Sequence, residues 1–199
     1  MTAVSSVEWC HVSSGAFLFG EEKQLRELQA FRISKYPVTY EEFQAFIDDP
    51  NGYANAWWWK GMPEEAHRQR KRGPRLQEFP DVRNPRENVS WYEAFAYCEW
   101  LSERIGYPVT LPTEEQWEKA ARGSDGLVFP YGDHFDPSKC NACSSGNGQT
   151  VSVDRYPLGA SPYGVMDMCA NVREWTLSEY ESGKSGDLGS TTRRVILPN

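Results

Sequence analysis

The chain has 199 residues, 39% of them hydrophobic and 14% aromatic, enough for a packed core and too apolar for a disordered tail. Its formal net charge of −7 offers no positive field to a phosphate backbone, which excludes nucleic acid as the main partner. No apolar run is long enough to span a bilayer, and the opening "MTAVSSVEWCHVSSGAF" lacks a basic then apolar leader, so the pattern predicts a soluble, cytoplasmic protein with no membrane association.

In chain order, "GAFLFG" (15–20) and "FRISKYPVT" (31–39) read as two strands of an N-terminal hairpin. A helix follows in "TYEEFQAFI", where Thr39 and Glu42 fit a capping box and Tyr40, Phe43, Phe46 and Ile47 form a stripe. It ends before Pro50. Residues 51–89 show no clear period and read as a long irregular segment, with the basic run "HRQRKRGPR" (67–75) as a solvated loop. Within it, Trp57, Trp58 and Trp59 are read as plugs of the core.

The clearest helix is "SWYEAFAYCEWLSERIG". Ser90 and Glu93 form its capping box, Trp91, Ala94, Phe95, Cys98, Leu101 and Ile105 share one face, and Gly106 closes it. A third capping box, Thr113 with Gln116, opens "TEEQWEKAARG", which Gly123 stops. Beyond it the composition is Gly, Pro, Asn, Asp and Ser with isolated aromatics, so little regular structure is expected. The sum is an α+β profile with much ordered loop, in a single unit without repeats or linkers.

Candidate chemistry concentrates in "DMCANVREWT" (167–176). Asp167, Asn171 and Glu174 stand among Met168, Val172 and Trp175, and acids in an apolar frame imply either a hydrogen-bond network or a cation. The five cysteines, Cys10, Cys98, Cys140, Cys143 and Cys169, are odd in number and irregularly spread, unlike a secreted disulfide framework, and are expected to be mostly reduced. Cys98 reads as a small buried hydrophobe, and Cys140 with Cys143 as a lone C-x-x-C in a loop. His11, His67 and His134 show no metal-ligand spacing.

"FRISKYPVTYEEFQAF", "NVSWYEAFAYCEWLSERIGYPVTLPTEEQWEKAARG", "FPYGD" and "SPYGVMDMCANVREWT", in this order, resemble the sulfatase-modifying-factor family, whose name-giving member is the formylglycine-generating enzyme. The resemblance runs from about Trp9 to about Tyr180 and implies a C-type-lectin-like fold with little regular secondary structure. "YANAWWWKG" and "NPRENVSWYEAFAYCEWLS" are most similar to bacterial members often fused to kinase, caspase-like or NTPase signalling domains.

The resemblance also implies a structural Ca2+. By the family pattern its ligands fall on the Asp167 side chain, the Ala170 and Val172 carbonyls and the Glu174 side chain, oxygen donors that suit a hard cation. Ala170 replaces the usual glycine and Arg173 the usual tryptophan; alanine still supplies a carbonyl if its φ stays negative. A second family calcium site would begin at Asn141 with the Ala142 carbonyl, but Ser144 and Ser145 stand near the position of its acid.

The oxidase of the family uses copper held by two cysteines beyond an "RGGSW" motif. Here "TTRRVILPN" ends the sequence, so the reading is a domain of residues 1–199 that is incomplete at its C-terminus, lacks core strands and carries no copper. Iron-dependent sulfoxide synthases of a related branch need a further histidine-bearing helical domain. The expected function is a non-catalytic, calcium-stabilised binding or scaffold domain of a bacterial signalling-type protein, with a protein or peptide partner. The alternatives are a truncated formylglycine-generating oxidase acting on a sulfatase cysteine, and a retroelement-diversified ligand-binding protein. Missing strands would uncover Phe95, Leu101 and Trp117 and leave the chain marginally stable.

Overall fold

The computed structural model describes residues 7–178. The tail from which missing strands and copper were inferred lies outside the described residues. The chain starts with four short strands, β1 (Trp9–Val12), β2 (Gly15–Phe19), β3 (Gln24–Leu28) and β4 (Phe31–Ser34). β1 pairs antiparallel with β4, Trp9 opposite Ser34 and Val12 opposite Phe31. β2 pairs antiparallel with β3, Gly15 opposite Leu28 and Phe19 opposite Gln24.

Both ladders keep one register, so they are two stretches of a single long hairpin interrupted near Ser13 and Ala30. This corrects the expected pairing of 15–20 with 31–39: both segments are strands, but each pairs with a partner the pattern hid. β3 is exposed along most of its length and shows no apolar alternation. Lys119 bridges the interruption, its Nζ donating to the carbonyls of Ser13 and Gly15 at 2.8 Å each and lying 5.6 Å from the Phe17 ring centre.

Three helices begin as expected, α1 at Tyr40–Asp48, α3 at Trp91–Ile105 and α4 at Glu114–Arg122, with α2 at Glu64–Arg72 between the first two. Thr39, Ser90 and Thr113 each close a reciprocal capping box with the residue three positions on. Gly106 ends α3 in the left-handed conformation, φ 78°. The helix α2 corrects the loop reading of the basic run. Only Ala66 of α2 is buried and Pro63 at its N-cap makes no side-chain capping bond, so neither an apolar stripe nor an N-terminal cap announced it, and Gly73 at its C-cap was the local signal. Tertiary bonds hold it: Arg70 donates to the Ala54 carbonyl, and Gln69 donates to Glu93 at 2.8 Å.

Two apolar clusters form the interior. The larger surrounds α3 and contains Phe43, Phe46, Trp59, Tyr97, Trp100 and Leu101. Trp58 and Trp59 plug it as expected, but Trp57 is exposed. Leu101 is fully buried, so its face is covered; Phe95 and Trp117 are half-buried. The smaller cluster lies between β1, β4 and α4 and takes in Val165 and Met168. Glu93 is buried in the larger one, where Tyr53, Gln69 and the Ser90 backbone all donate to it at 2.8 Å. Among the described residues no helix is long and apolar enough to cross a membrane.

Candidate functional site

The 167–176 segment crosses from one apolar cluster to the other. Met168 is buried in the smaller cluster, whereas Trp175 packs against the larger one and donates from Nε1 to the Val89 carbonyl at 2.9 Å. The far end is tied down by Trp91 Nε1 donating to the Thr176 carbonyl and by Leu177 N–H donating to that of Pro112. The acids are therefore carried over a junction between two cores, which accounts for polar residues in an apolar frame.

A cavity of about 430 Å³ opens at this junction, and Asn141, Ala142, Asp167, Ala170, Val172 and Glu174 all line it. Two sequence segments about thirty residues apart thus meet at one place. Asn171, not singled out as a ligand, joins them. Its Oδ1 accepts from Asn141 Nδ2 at 3.0 Å and from Val151 N–H at 3.0 Å. Its Nδ2 donates to Asp167 at 2.9 Å and to the Val151 carbonyl at 2.9 Å. An asparagine at the centre of a polar loop was the available signal.

Asp167 and Asn171 adopt positive φ, 58° and 76°, a region these two residue types tolerate better than most. Ala170 is not among the positive-φ residues, so alanine replaces the family glycine without backbone strain. Burial pushes the Asp167 carboxyl up to about 7, against the lowering effect of Asn171. Glu174 is buried and accepts from Trp117 Nε1 at 2.6 Å.

A structural Ca2+ is tested against these donors as chemistry. Asp167, Glu174 and the carbonyls of Ala170 and Val172 are oxygen donors with two acids among them, and a partly buried acid whose neutral form is favoured gains from a cation, so this set fits. The Asn141 set does not. Asn141 donates to the Gln149 carbonyl, and its Oδ1 accepts from Asn147 at 2.7 Å. Ser145, near the family acid's position, bonds the Ala142 N–H and the Cys140 carbonyl. The polar groups of that loop are engaged with one another and with Asn171, and serines stand where the family pattern has its acid.

On the other side of residues 172–174 lies an apolar groove of about 300 Å³, floored by Val38, Phe43, Tyr97 and Trp175 with Arg86 and Glu87 among its walls. One short segment is thus a wall of both the cavity at the junction and this groove. Sequence reasoning missed this groove, because its lining comes from four separate stretches of chain.

The family model for the sulfatase-modifying factor enzyme 1-like domain matches residues 3–197. The chain belongs to this family. Members similar to it include the mouse (Mus musculus) inactive C-alpha-formylglycine-generating enzyme 2, 30% identical, with 86% of this chain and 68% of that protein covered. The serine/threonine-protein kinase pkn1 of Chlamydia caviae is 31% identical over 84% of this chain, which spans only 27% of the kinase. Among solved structures, Treponema denticola variable protein 1 superposes with a TM-score of 0.69 at 19% identity, covering 96% of this chain and 84% of that one. The family fold, mixed α and β with few regular elements, is thereby shown for this member.

Of the remaining sequence candidates, Cys98 is buried on α3, Cys143 is exposed, and His11 and His134 are exposed. Cys140 and Cys169 converge on one hydroxyl: Tyr131 Oη lies 3.6 Å from Cys140 Sγ and 3.7 Å from Cys169 Sγ. Burial pushes the Cys169 thiol up to about 11.

Proposed function

We propose that this sulfatase-modifying-factor domain is a calcium-stabilised binding or scaffold module without chemistry of its own, working for a bacterial signalling-type protein. The observation that carries the reading is the shared wall: residues 172–174 border both the cavity of oxygen donors and the apolar groove. The Asp167 and Glu174 carboxylates with the Ala170 and Val172 carbonyls would hold Ca2+, which supplies charge neutralisation and a fixed loop.

Fixing that loop shapes the groove. A cavity of this size takes one or two apolar side chains, and its walls carry both charges through Arg86 and Glu87, which suits a peptide or the loop of a protein partner. The likeness to a mouse relative named inactive and to a chlamydial kinase supports a non-catalytic role beside signalling machinery.

Thermal melts with and without chelator test the ion. Chelator should lower the midpoint of the wild type and do much less to Asp167→Ala or Glu174→Ala, because a ligand bound only by the native state stabilises it by mass action. An equal effect on all three proteins removes the ion. Oxygen uptake on a cysteine-containing peptide tests the rest: turnover would establish the alternative, a formylglycine-generating oxidase.

A further inference from the structure

The geometry points to Cys140 and Cys169 as a reversible disulfide site, formed by exchange with a low-molecular-weight disulfide, that clamps the two chain segments meeting at the junction cavity.

Three observations converge on the pair. Both sulfurs lie within hydrogen-bonding reach of the single Tyr131 hydroxyl, so the two side chains meet at one atom. Tyr131 is itself held, stacked on Phe129 at 5.8 Å and 9° with the Lys139 ammonium 5.2 Å from its ring centre, so the hydroxyl is a fixed meeting point. The backbones beside the sulfurs are already joined, since Asn171 N–H donates to the Asn141 carbonyl at 3.3 Å and the side chains of the same two residues bond at 3.0 Å. Segments held in register in this way need little backbone movement to bring two Cβ atoms within disulfide range.

The accessibilities set the order of events. Cys169 is half-buried and Cys140 buried, so the external disulfide meets Cys169 first. The Cys169 sulfur attacks it, one sulfur–sulfur bond forms and one breaks, and the departing thiolate takes up the proton Cys169 loses. Cys140 then attacks the Cys169 sulfur of the mixed disulfide and expels the second small thiol, which receives the Cys140 proton. Two protein thiols are oxidised by two electrons, and the small disulfide is reduced to two thiols. Cys143, exposed three residues from Cys140, is the competing nucleophile.

The cross-link joins residues flanking Asn141 on one side and Asp167 and Ala170 on the other, so it draws together the walls of the cavity whether or not an ion is present. It also closes a loop of the unfolded chain, which raises thermal stability.

The test is to incubate the full chain with oxidised glutathione, quench with acid, block free thiols with N-ethylmaleimide under denaturing conditions, and digest without reductant for mass spectrometry. The expected result is a Cys140–Cys169 linked peptide with the other three cysteines outside the link, and a melting midpoint several degrees higher that returns on reduction. Cys143→Ser should leave the linked peptide intact, whereas Cys140→Ser should stop at glutathione attached to Cys169. A linked peptide through Cys143, persistent glutathione on Cys169 of the wild type, or five blocked thiols each overturn the proposal. Because the readout is covalent and needs no calcium, its failure is distinct from failure of the ion site.

Discussion

Asn171 donates from Nδ2 to Asp167 at 2.9 Å, so the side chain that joins two distant segments also steadies the partly buried acid. Backbone and side chain contribute separately at this position, since Asn171 has a φ of 76°. Asn171→Gly keeps that conformation and loses only the side-chain bonds. Asn171→Ala loses the same bonds and adds left-handed strain of about 1 kcal/mol. Urea denaturation should therefore rank wild type above Gly above Ala, with the first step about 2–4 kcal/mol for several partly buried bonds. Equal stability of the two variants would contradict the assigned backbone.

Lys119 is buried and serves two carbonyls at the interruption of the hairpin. Lys119→Met keeps most of the apolar volume but leaves the carbonyls of Ser13 and Gly15 without this donor. The expected cost is about 2–3 kcal/mol, and amide exchange should quicken first in β1 and β2. Exchange that quickens equally throughout the chain would argue against a local clasp.

Tyr53 donates to the buried Glu93 at 2.8 Å, and burial, then the Glu93 charge, holds its phenol well above the ordinary range. The folded-state pKa exceeds the unfolded one, so this contribution is complete below the unfolded value of about 10 and is lost as pH rises toward the folded one. Stability of the wild type should fall as pH climbs past about 10. Tyr53→Phe should be less stable by about 1.5–3 kcal/mol at neutral pH, having lost a bond to a charged group, and should show a shallower alkaline decline. Denaturant midpoints from pH 7 to 11 read both effects.

A Cβ on Gly52 would meet the Phe46 carbonyl oxygen at 1.9 Å. That oxygen accepts from Tyr53 N–H, and the turn leads directly to the Tyr53 and Trp59 packing. Gly52→Ala should cost about 1–3 kcal/mol by forcing the turn away from α1. A variant as stable as the wild type would show that the turn yields freely.

The sequence by itself determined what depends on neighbours a few positions apart. Each of Thr39, Ser90 and Thr113 finds its capping partner three residues on, so the starts of α1, α3 and α4 were legible, as was Gly106 at the end of α3. Asp167, Ala170, Val172 and Glu174, the donors proposed for a cation, stand in one continuous stretch, so the family pattern could be read there locally. Tertiary structure alone decided the rest. The helix α2 has one buried residue and no side-chain cap, and its bonds run to Ala54 and Glu93 in other parts of the chain. β3 carries no strand pattern because its side chains face solvent, and the hairpin register supplies its partner. The junction needs Met168 in one core and Trp175 in the other, and only packing brings Asn141 to Asn171 and both Cys140 and Cys169 to Tyr131. Local bonds are written in local spacing; contacts across thirty or more residues depend on which surfaces exclude water together.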